Sequence, residues 1–397
     1  MKVEGAEGMD PSVSSSYQEV VSQISSSEGF QDFLKTPSFA TLRSSASSAV
    51  KGPVIIINHS KRSHILILHD DAQSSPSVIT TTDGFYDRAI ELRDRLVRTR
   101  NKNFLLESKQ YHRALRSVLE DLCELVGQPV VNELRRLKIP EQSRVWWCPT
   151  SVFCSLPLHA MGPFQSSDGV KRYFSDLYIP SYTSSLSALS ESRKSSESPL
   201  EKPSVLLIAN PDEYMKDAFP EIQLIHSLPT KVTTLIGEAA MPSTVLEGLQ
   251  DHQFAHFVCR GNQEPGKPFD ASFKLYGGNR LTLRDIIRSR LPPTTEFAFL
   301  PNCVAEPAKD IADEGLHLAA ALQSNGFRSV VGTMWAMADE DGRDLAELFY
   351  KSLFSSDEQG VPYHQRSARS LRDAVRALRI KQSLPLERWV NFVHYGA

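Results

Sequence analysis

The sequence predicts an α/β protein in which a mainly parallel sheet is covered by helices on both faces. From residue 204 onward, short apolar runs typical of buried strands alternate with amphipathic helical segments. The predicted strands are Ser204–Ala209, Val232–Ile236, Phe254–Cys259, Glu296–Leu300 and Ser329–Thr333. The predicted helices are Ile222–Leu228, Ser243–Leu249, Leu283–Ser289, Leu316–Ser324 and Asp341–Phe354. Strands separated by helices pair in parallel, because each connection must cross back over the sheet.

The first half of the chain shows a different order of elements. Val54–Ile57 and Ser63–Leu68 are apolar runs joined by a short polar turn, which predicts a hairpin. Two amphipathic helices follow, one after Asp83 and one over about residues 111–126. A strand is predicted at Ser143–Pro149. Three aromatic residues near the end of the chain predict a packed terminal segment: Trp389, Phe392 and Tyr395.

Serine-rich polar segments divide the chain. Residues 1–29 carry few apolar positions, so we expect a flexible, serine-rich lead-in there. A second serine-rich stretch begins at Ser184 and continues through Ser196 to Pro203. We therefore expect an N-terminal α/β region over residues 30–195 and a C-terminal domain over residues 196–397.

Length, charge and cysteine content exclude several classes of protein. A chain of 397 residues suits two domains and a tail, and a net charge of −3 gives no general attraction to nucleic acid or membranes. No apolar run approaches the ~18 residues needed to span a bilayer, and the polar N-terminus does not resemble a secretory signal. Five cysteines without a CxxC pair predict free thiols in a reducing cytosolic or nuclear compartment, with the cytoplasm as the expected location. We expect neither a metal nor a cofactor.

Two strand ends carry the side chains of a cysteine peptidase site. Phe254–Gly261 supplies histidine and glycine, and Phe297–Cys303 supplies cysteine roughly 45 residues later. The carboxyl ends of neighbouring parallel strands meet at one edge of a sheet, where functional groups gather. Cys303 follows its strand where a nucleophile would stand, and the N–H of Gly261 could donate to an oxyanion. The alternative for Cys303 is a packing role, since free cysteines are often buried.

The base of such a site is the open question in this sequence. Arg260 stands directly before Gly261, and its guanidinium stays protonated, so it cannot accept a proton as a base. Its charge could instead lower the pKa of a nearby thiol. His256 lies inside the predicted strand, about 13 Å back from the loop, which favours a hydrogen-bonded core histidine over a base.

An acidic run late in the chain allows two interpretations. Asp339 and Asp341, shortly after Trp335, could line a pocket for a basic substrate residue. They could equally cap the N-terminus of the long helix that follows. The arginine-rich helix near residues 366–379 predicts a solvated face rather than a nucleic-acid site. The adjacent tryptophans at positions 146 and 147 predict core packing.

These motifs together resemble the CHAT domain family, the caspase-like proteins related to separase, and are similar above all to the CHAT proteins common in fungi. The resemblance covers the chain from about Val54 onward. Its markers are Val145–Pro149, Leu156–Ala160, Ile179–Leu186, His256–Gly261, Phe299–Cys303, Asp313–Glu314 and Gly326–Trp335 with the following Asp339. It implies a caspase-like three-layer sandwich preceded by a smaller α/β pseudo-protease-like region. Active members are clan CD cysteine peptidases, which are hydrolases that a sensor or partner often switches on.

The resemblance also assigns roles by position. Cys303 matches the family nucleophile and Gly261 the oxyanion-hole glycine, whereas Arg260 occupies the position of the catalytic histidine. His256 matches the other histidine of that motif, which is not the base. The segment around Cys303 departs as well, reading Leu-Pro-Asn-Cys-Val-Ala-Glu where the family usually has Leu-Ser-Ala-Cys-x-Thr. Both departures fall at the active site while the core motifs persist.

The sequence therefore predicts a degenerate peptidase that binds a peptide or protein partner without cutting it. The alternative is an active cysteine endopeptidase that cleaves after a specific residue, for example a basic one. In that alternative Cys303 is the nucleophile, and His256 or a histidine from another loop is the base. A third hypothesis is a regulator whose N-terminal segment docks onto a larger assembly. A sensor or repeat-domain partner is expected, and neither nucleic acid nor membrane.

Overall fold

The computed structural model describes most of the chain beyond residue 51. The described ranges are 52–59, 62–69, 75–102, 109–165, 169–193, 203–210, 218–262, 268–300, 318–335, 339–355, 360–381 and 383–397. Arg43–Ala397 form one compact unit, and Met1–Leu42 form another, of which only Val20, Ser22 and Ser26 are described, all three helical. The rest of the predicted lead-in, Cys303 and the side chain of Asp339 lie outside the described residues.

The described residues contain fourteen strands in two sheets. They are β1 Val54–His59, β2 Ser63–Leu68, β3 Ser77–Thr80, β4 Arg144–Pro149, β5 Ile179–Tyr182, β6 Val205–Ala209, β7 Val232–Ile236, β8 Phe254–Val258, β9 Gly261–Asn262, β10 Ser272–Lys274, β11 Arg280–Thr282, β12 Phe297–Phe299, β13 Ser329–Thr333 and β14 Phe392–Gly396. Eleven of them form one sheet in the order β3-β2-β1-β4-β5-β14-β13-β12-β8-β6-β7. The other three form a small sheet in the order β11-β10-β9.

Helices pack on this sheet. They are α1 Phe85–Lys102, α2 Lys109–Leu122, α3 Gln128–Arg136, α4 Phe174–Leu177, α5 Leu186–Arg193, α6 Ala218–His226, α7 Pro242–Asp251, α8 Leu283–Ser289, α9 Leu318–Ser324, α10 Asp339–Leu353, α11 Tyr363–Lys381 and α12 Leu386–Trp389. A π-helical turn, Cys123–Gly127, joins α2 to α3. The second predicted amphipathic helix therefore runs on past residue 126 through this turn.

The large sheet consists of two parallel blocks that run in opposite directions. β1, β4 and β5 are parallel to one another, as are β7, β6, β8, β12 and β13. β14 lies between the blocks, parallel to β5 and antiparallel to β13. The predicted hairpin of β1 and β2 and the mainly parallel sheet are confirmed. The sheet is continuous across the predicted boundary at residues 195–196, because β14 from the end of the chain pairs with β5.

Both faces of the sheet are covered, as predicted. Trp146 and Trp147 are adjacent on β4, so their side chains point to opposite faces, and each is 0% exposed. Trp147 belongs to the main hydrophobic core. Trp146 belongs to a smaller cluster, which also contains Leu189 of α5. The prediction that this pair lies in the core is confirmed.

His394 connects β14 to the elements on either side of it. Its Nδ1 lies 2.9 Å from the Ser181 hydroxyl on β5. Its Nε2 lies 2.7 Å from the Ser329 hydroxyl on β13 and 2.8 Å from that of Ser367 on α11. Burial lowers the pKa of His394 well below its usual value, so the ring is neutral. These hydrogen bonds satisfy the ring and position β14 between the two blocks.

The arginine-rich helix α11 is packed into the protein along part of its surface, whereas Arg369 and Arg376 are exposed. Arg379 makes a bidentate ion pair with Asp176, in which the two guanidinium nitrogens lie 2.9 and 3.0 Å from the two carboxylate oxygens. Its guanidinium also lies over the ring of Trp389. Arg372 bonds Gln142, and Arg366 donates to a backbone carbonyl 2.7 Å away. The predicted solvated face is therefore wrong for these three arginines. Arg372 and Arg379 bond acceptors from distant elements, and Arg366 bonds the Val361 carbonyl just before its own helix.

A glycine substitution tests the close packing of β14. Gly396 has φ +101°, and an added Cβ would collide with the Arg328 carbonyl oxygen on the neighbouring strand. We expect Gly396→Ala to lower the free energy of unfolding by about 3 kcal/mol or more. Gly84 has φ +73° but open space around it, so Gly84→Ala should cost only about 1 kcal/mol. Urea unfolding measures both, and equal losses would show that β14 is not packed as described.

The buried histidine His159 gives a pH dependence with a defined sign. Its ring bonds the Tyr182 hydroxyl and the Val390 carbonyl, and burial lowers its pKa to about 4. Between pH 6.5 and 4 the unfolded chain binds a proton at this histidine and the folded chain does not. Stability from this residue is therefore full above about pH 6.5 and falls by about 3 kcal/mol as the pH drops to 4.

The difference in unfolding free energy between the natural chain and His159→Gln isolates this contribution. In denaturant titrations, we expect the stability of the natural chain relative to His159→Gln to fall by about 3 kcal/mol from pH 7 to pH 4, even if this makes the variant the more stable of the two. A difference that does not change with pH would contradict the neutral, buried state of His159.

Candidate active site

The candidate site lies at the edge where β8, β12 and β13 end. Parallel pairing aligns His256 of β8 with Phe299 of β12, and Phe299 with Val331 of β13. The chain leaves all three strands at the same edge of the sheet. The residues four positions further along are Arg260, Cys303 and Trp335. Cys303 lies outside the described residues, so its side chain is not located here.

The backbone around Arg260 is held from two sides. The N–H of Asn210, just beyond β6, donates to the Val258 carbonyl at 3.0 Å. The N–H of Lys274 on β10 donates to the Arg260 carbonyl at 2.8 Å. Arg260 itself is half-buried. The main chain of the turn from β8 into β9 is therefore held by hydrogen bonds from the elements on both sides of it.

Gly261 begins the short edge strand β9. It stands opposite Phe273 of β10, and the neighbouring residues, Arg260 and Lys274, share a ladder hydrogen bond. In an antiparallel ladder, hydrogen-bonded and non-hydrogen-bonded pairs alternate, so the N–H of Gly261 faces away from β10. The stacked rings of Phe257 and Phe273, with centroids 4.3 Å apart, fix the small sheet against β8.

His256 is enclosed in the core. Its exposed fraction is 0%, and its ring is stacked on Phe299 with centroids 5.0 Å apart. Its Nδ1 lies 2.9 Å from the Tyr350 hydroxyl, and its Nε2 lies 3.0 Å from Oε1 of Glu221. Burial, with the charge of Glu221, raises the pKa of Tyr350 well above its usual value, so the phenol keeps its proton. These contacts are those of a hydrogen-bonded core histidine, and both ring nitrogens are engaged.

Trp335 is 2% exposed at the end of β13. Its main chain is clamped by Asn391, which accepts from the Trp335 N–H at 2.8 Å and donates to its carbonyl at 2.7 Å. The Arg100 guanidinium lies 4.7 Å from the ring centroid. Burial lowers the pKa of Arg100 to about 10, so it still carries its charge at neutral pH. The indole thus packs between helix α1 and the sheet.

Asp341 is 1% exposed and paired with Arg388. The Arg388 Nε donates to its carboxylate at 2.9 Å, and a second nitrogen bonds the other oxygen. Burial raises the pKa of Asp341 to about 6, although Arg388 acts in the opposite direction. The pair joins the start of α10 to α12. The roles predicted for Asp339, Asp341 and Trp335 as substrate contacts stay predictions.

Within the described ranges, no group of three or more His, Cys, Asp and Glu side chains is placed to hold a metal ion. No helix in those ranges is both long and apolar enough to cross a bilayer. A cavity of about 30 Å³, which has room for about one water molecule, is lined by α4, β5, α11 and β14 and not by β8 or β12.

Several residues that organise this edge were missed from the sequence. Asn210 could have been found, since it is a polar residue directly after a predicted strand. Lys274 could not, because its strand has only three residues. The contacts of Glu221 and Tyr350 with His256 could not be predicted either, because these residues are 35 and 94 positions away from His256 in the sequence.

Comparison with known proteins agrees with this architecture. The family model described as the CHAT domain matches residues 116–397. Two crystal structures of the Saccharomyces cerevisiae separase–securin complex are similar in fold, with TM-scores of 0.53 and 0.55 and sequence identities of 9% and 10%. Each similarity covers 89% of this chain, which spans 31% and 30% of the matched chains.

A complex of the pro- and mature domains of RgpB from Porphyromonas gingivalis matches with a TM-score of 0.42 and 10% identity, over 80% of this chain and 77% of that one. A search of curated protein sequences gave no match. The family match covers well over half of the chain, and the sheet order, the candidate edge and the similarity to separase agree with it. The chain belongs to the CHAT domain family.

Proposed function

We propose that this chain is a degenerate cysteine peptidase that binds a peptide or protein partner without cleaving it. The observation that carries the proposal is the pair of residues on β8 and its loop. Arg260 stands where the family has its catalytic histidine, and His256, four residues earlier, has both ring nitrogens engaged in the core. The proposal assigns Cys303 the nucleophile position without a base to activate it.

A thiol peptidase needs a base, and arginine at position 260 cannot act as one. The base must take the thiol proton and later deliver a proton to the leaving amine. A guanidinium does neither near neutral pH, because its pKa lies above 12. In the proposed site Arg260 could stabilise a thiolate by charge, yet no group would protonate the departing nitrogen. Removing the base of such a site costs about 10⁴-fold or more in turnover.

Other features of the edge favour continued binding. The N–H of Gly261 faces away from the small sheet, as an oxyanion-hole donor would, and the turn that carries it is fixed by main-chain hydrogen bonds. The similar separase structures contain securin, a protein partner, which supports a protein or peptide as the ligand here. The cytoplasm is part of the same proposal, consistent with the free thiols of Cys123, Cys148, Cys154 and Cys259.

Restoring the base is the direct test of this function. We expect the natural chain to show no measurable cleavage of a fluorogenic peptide library that includes basic and acidic residues at the cleavage position. Arg260→His should create turnover, because the carbonyl at position 260 that bonds Lys274 is present with either side chain. Arg260→His combined with Cys303→Ala is the matched control and should lose that turnover.

Cleavage by the unaltered chain, abolished by Cys303→Ala, would refute the proposal. Labelling of Cys303 in the natural chain by a peptide chloromethyl ketone, at a rate that parallels this cleavage, would refute it as well.

The role of His256 gives an independent prediction. His256→Leu leaves the Glu221 carboxylate buried without its partner, and Oε2 of that carboxylate already has no partner among the described residues. We expect a loss of about 3–5 kcal/mol in the free energy of unfolding. The double variant Glu221→Leu/His256→Leu should recover part of the loss, because it removes the unpaired charge.

His252→Leu is the control for that measurement. His252 is only partly buried and bonds the Gly248 carbonyl and the Thr233 hydroxyl, so its loss should cost about 1 kcal/mol. If His256→Leu proves as mild as the control, the structural interpretation of His256 is contradicted.

A further inference from the structure

A guanidinium group lies against the ring of Trp335 at the candidate edge. It belongs to Arg100, near the end of α1, and its central carbon lies 4.7 Å from the ring centroid. Within the described ranges, the pKa of Arg100 is affected only by burial and by the Tyr111 side chain. Burial raises the pKa of Tyr111 to about 12, so this phenol is neutral. The charge of Arg100 is therefore not balanced by an acid among the described residues.

The other arginines of α1 are in ordinary surroundings. Arg93 pairs with Asp94 at 2.7 Å, and Arg95 pairs with Asp121 of α2. Arg98 is exposed to solvent, where water stabilises its charge. Arg100 differs from all three, because it is partly buried and has neither an acid nor full hydration.

The described acids nearest to this place along the chain are engaged with other bases. Oε2 of Glu387 on α12 lies 2.7 Å from Nδ1 of His112. Asp341 and Glu340 on α10 both pair with Arg388. A carboxylate that neutralised Arg100 would therefore have to leave another pair or come from elsewhere.

The indole N–H of Trp335 adds a second donor to the same place. Trp335 is 2% exposed, and its Nε1 is buried with no acceptor among the described residues. Indole nitrogen only donates, and a buried donor without an acceptor is rare in folded proteins. Asn391 holds the main chain of Trp335 through both its N–H and its carbonyl, which fixes the residue at the end of β13. The cation and the N–H are thus two neighbouring donors for which the described residues supply no acceptor.

We propose that Arg100 and Trp335 form a binding site for a carboxylate group of a peptide partner. Arg100 lies over the ring to which Nε1 belongs, so the guanidinium can bond one carboxylate oxygen and the indole N–H the other. One cation and one neutral donor match the single charge of a carboxylate, whereas a phosphate dianion would keep excess charge in a partly buried place.

This inference deepens the proposed function by naming the group that the candidate edge recognises. It rests on that function for the idea that the edge receives a peptide. Trp335 follows β13 at the edge where Arg260 follows β8, so a peptide side chain that reaches Trp335 lies beside the proposed peptide site. Arg100 comes from the first half of the chain and Trp335 from the second, and neither donor suffices alone.

The indole N–H resonances give a direct test. The chain has four tryptophans, so uniform ¹⁵N labelling gives four such resonances, and Trp335→Phe identifies the one that belongs to Trp335. The probe is the peptide acetyl-Ala-Glu-Ala-amide, and acetyl-Ala-Gln-Ala-amide is its uncharged control. We expect the Glu peptide to move the Trp335 resonance downfield, because its N–H gains a charged acceptor. The other three resonances should stay in place, and the Gln peptide should move none of the four.

A pair of variants on α1 tests the role of the cation. Arg100→Gln should weaken binding of the Glu peptide by about tenfold or more, measured from the concentration dependence of the same resonance. Arg98→Gln is the matched control, which removes an exposed arginine from the same helix and should change binding by less than about twofold. Melting temperatures of the two variants separate lost binding from unfolding.

A Trp335 resonance that does not move in the natural chain would overturn the inference, as would equal shifts by the Glu and Gln peptides or equal weakening by the two variants. A larger shift with inorganic phosphate would overturn it in favour of a phosphate ligand. Free glutarate that binds as tightly as the Glu peptide would confirm the carboxylate site and overturn a peptide as its source. The proposed function fails separately, through Cys303-dependent cleavage by the natural chain, whatever the resonances show.

Discussion

The reversal of strand direction at β14 is the constraint on which the rest of the sheet depends. Because β14 is parallel to β5 and antiparallel to β13, the carboxyl ends of the C-terminal block lie at the same edge as the amino ends of the N-terminal block. Asn391, directly before β14, can therefore clamp Trp335 directly after β13. The hydrogen bonds of His394 hold β14 in this place on both sides, and they are buried, where an unmade bond costs most.

A fold held in this way tolerates changes at its candidate site. β8 is buried in the core along its whole length, His256 included, whereas Arg260 contributes its carbonyl group to the alignment with β10. A main-chain contact accepts almost any side chain at that position. Under the proposed function, the replacement of a histidine at position 260 keeps the carbonyl that bonds Lys274. The proposed function is therefore compatible with the intact sheet around the candidate site.

The sequence was most informative where the signal is local. Apolar runs such as Phe254–Val258 predict buried strands, and the position of Arg260 within the family motif is evident from the sequence alone. Strand β14 was expected only as a packed segment, because its five residues mix apolar and polar types and its position is set by partners more than 200 residues away. The arginines of α11 were misjudged for the same reason. Asp176, the partner of Arg379, is 203 residues distant, and helical periodicity cannot reveal such a pair.

In the proposed function, the missing base and one of the cationic side chains beside the small sheet are the same residue, Arg260. With histidine at position 260, the line across β9, β10 and β11 would carry two permanent charges, on Lys274 and Arg280. With arginine it contains three cationic side chains. Under the proposed function, arginine in place of histidine removes proton transfer from the edge and adds a cationic group there. The proposed function thus exchanges a catalytic group for a cationic one at a position whose carbonyl still bonds Lys274.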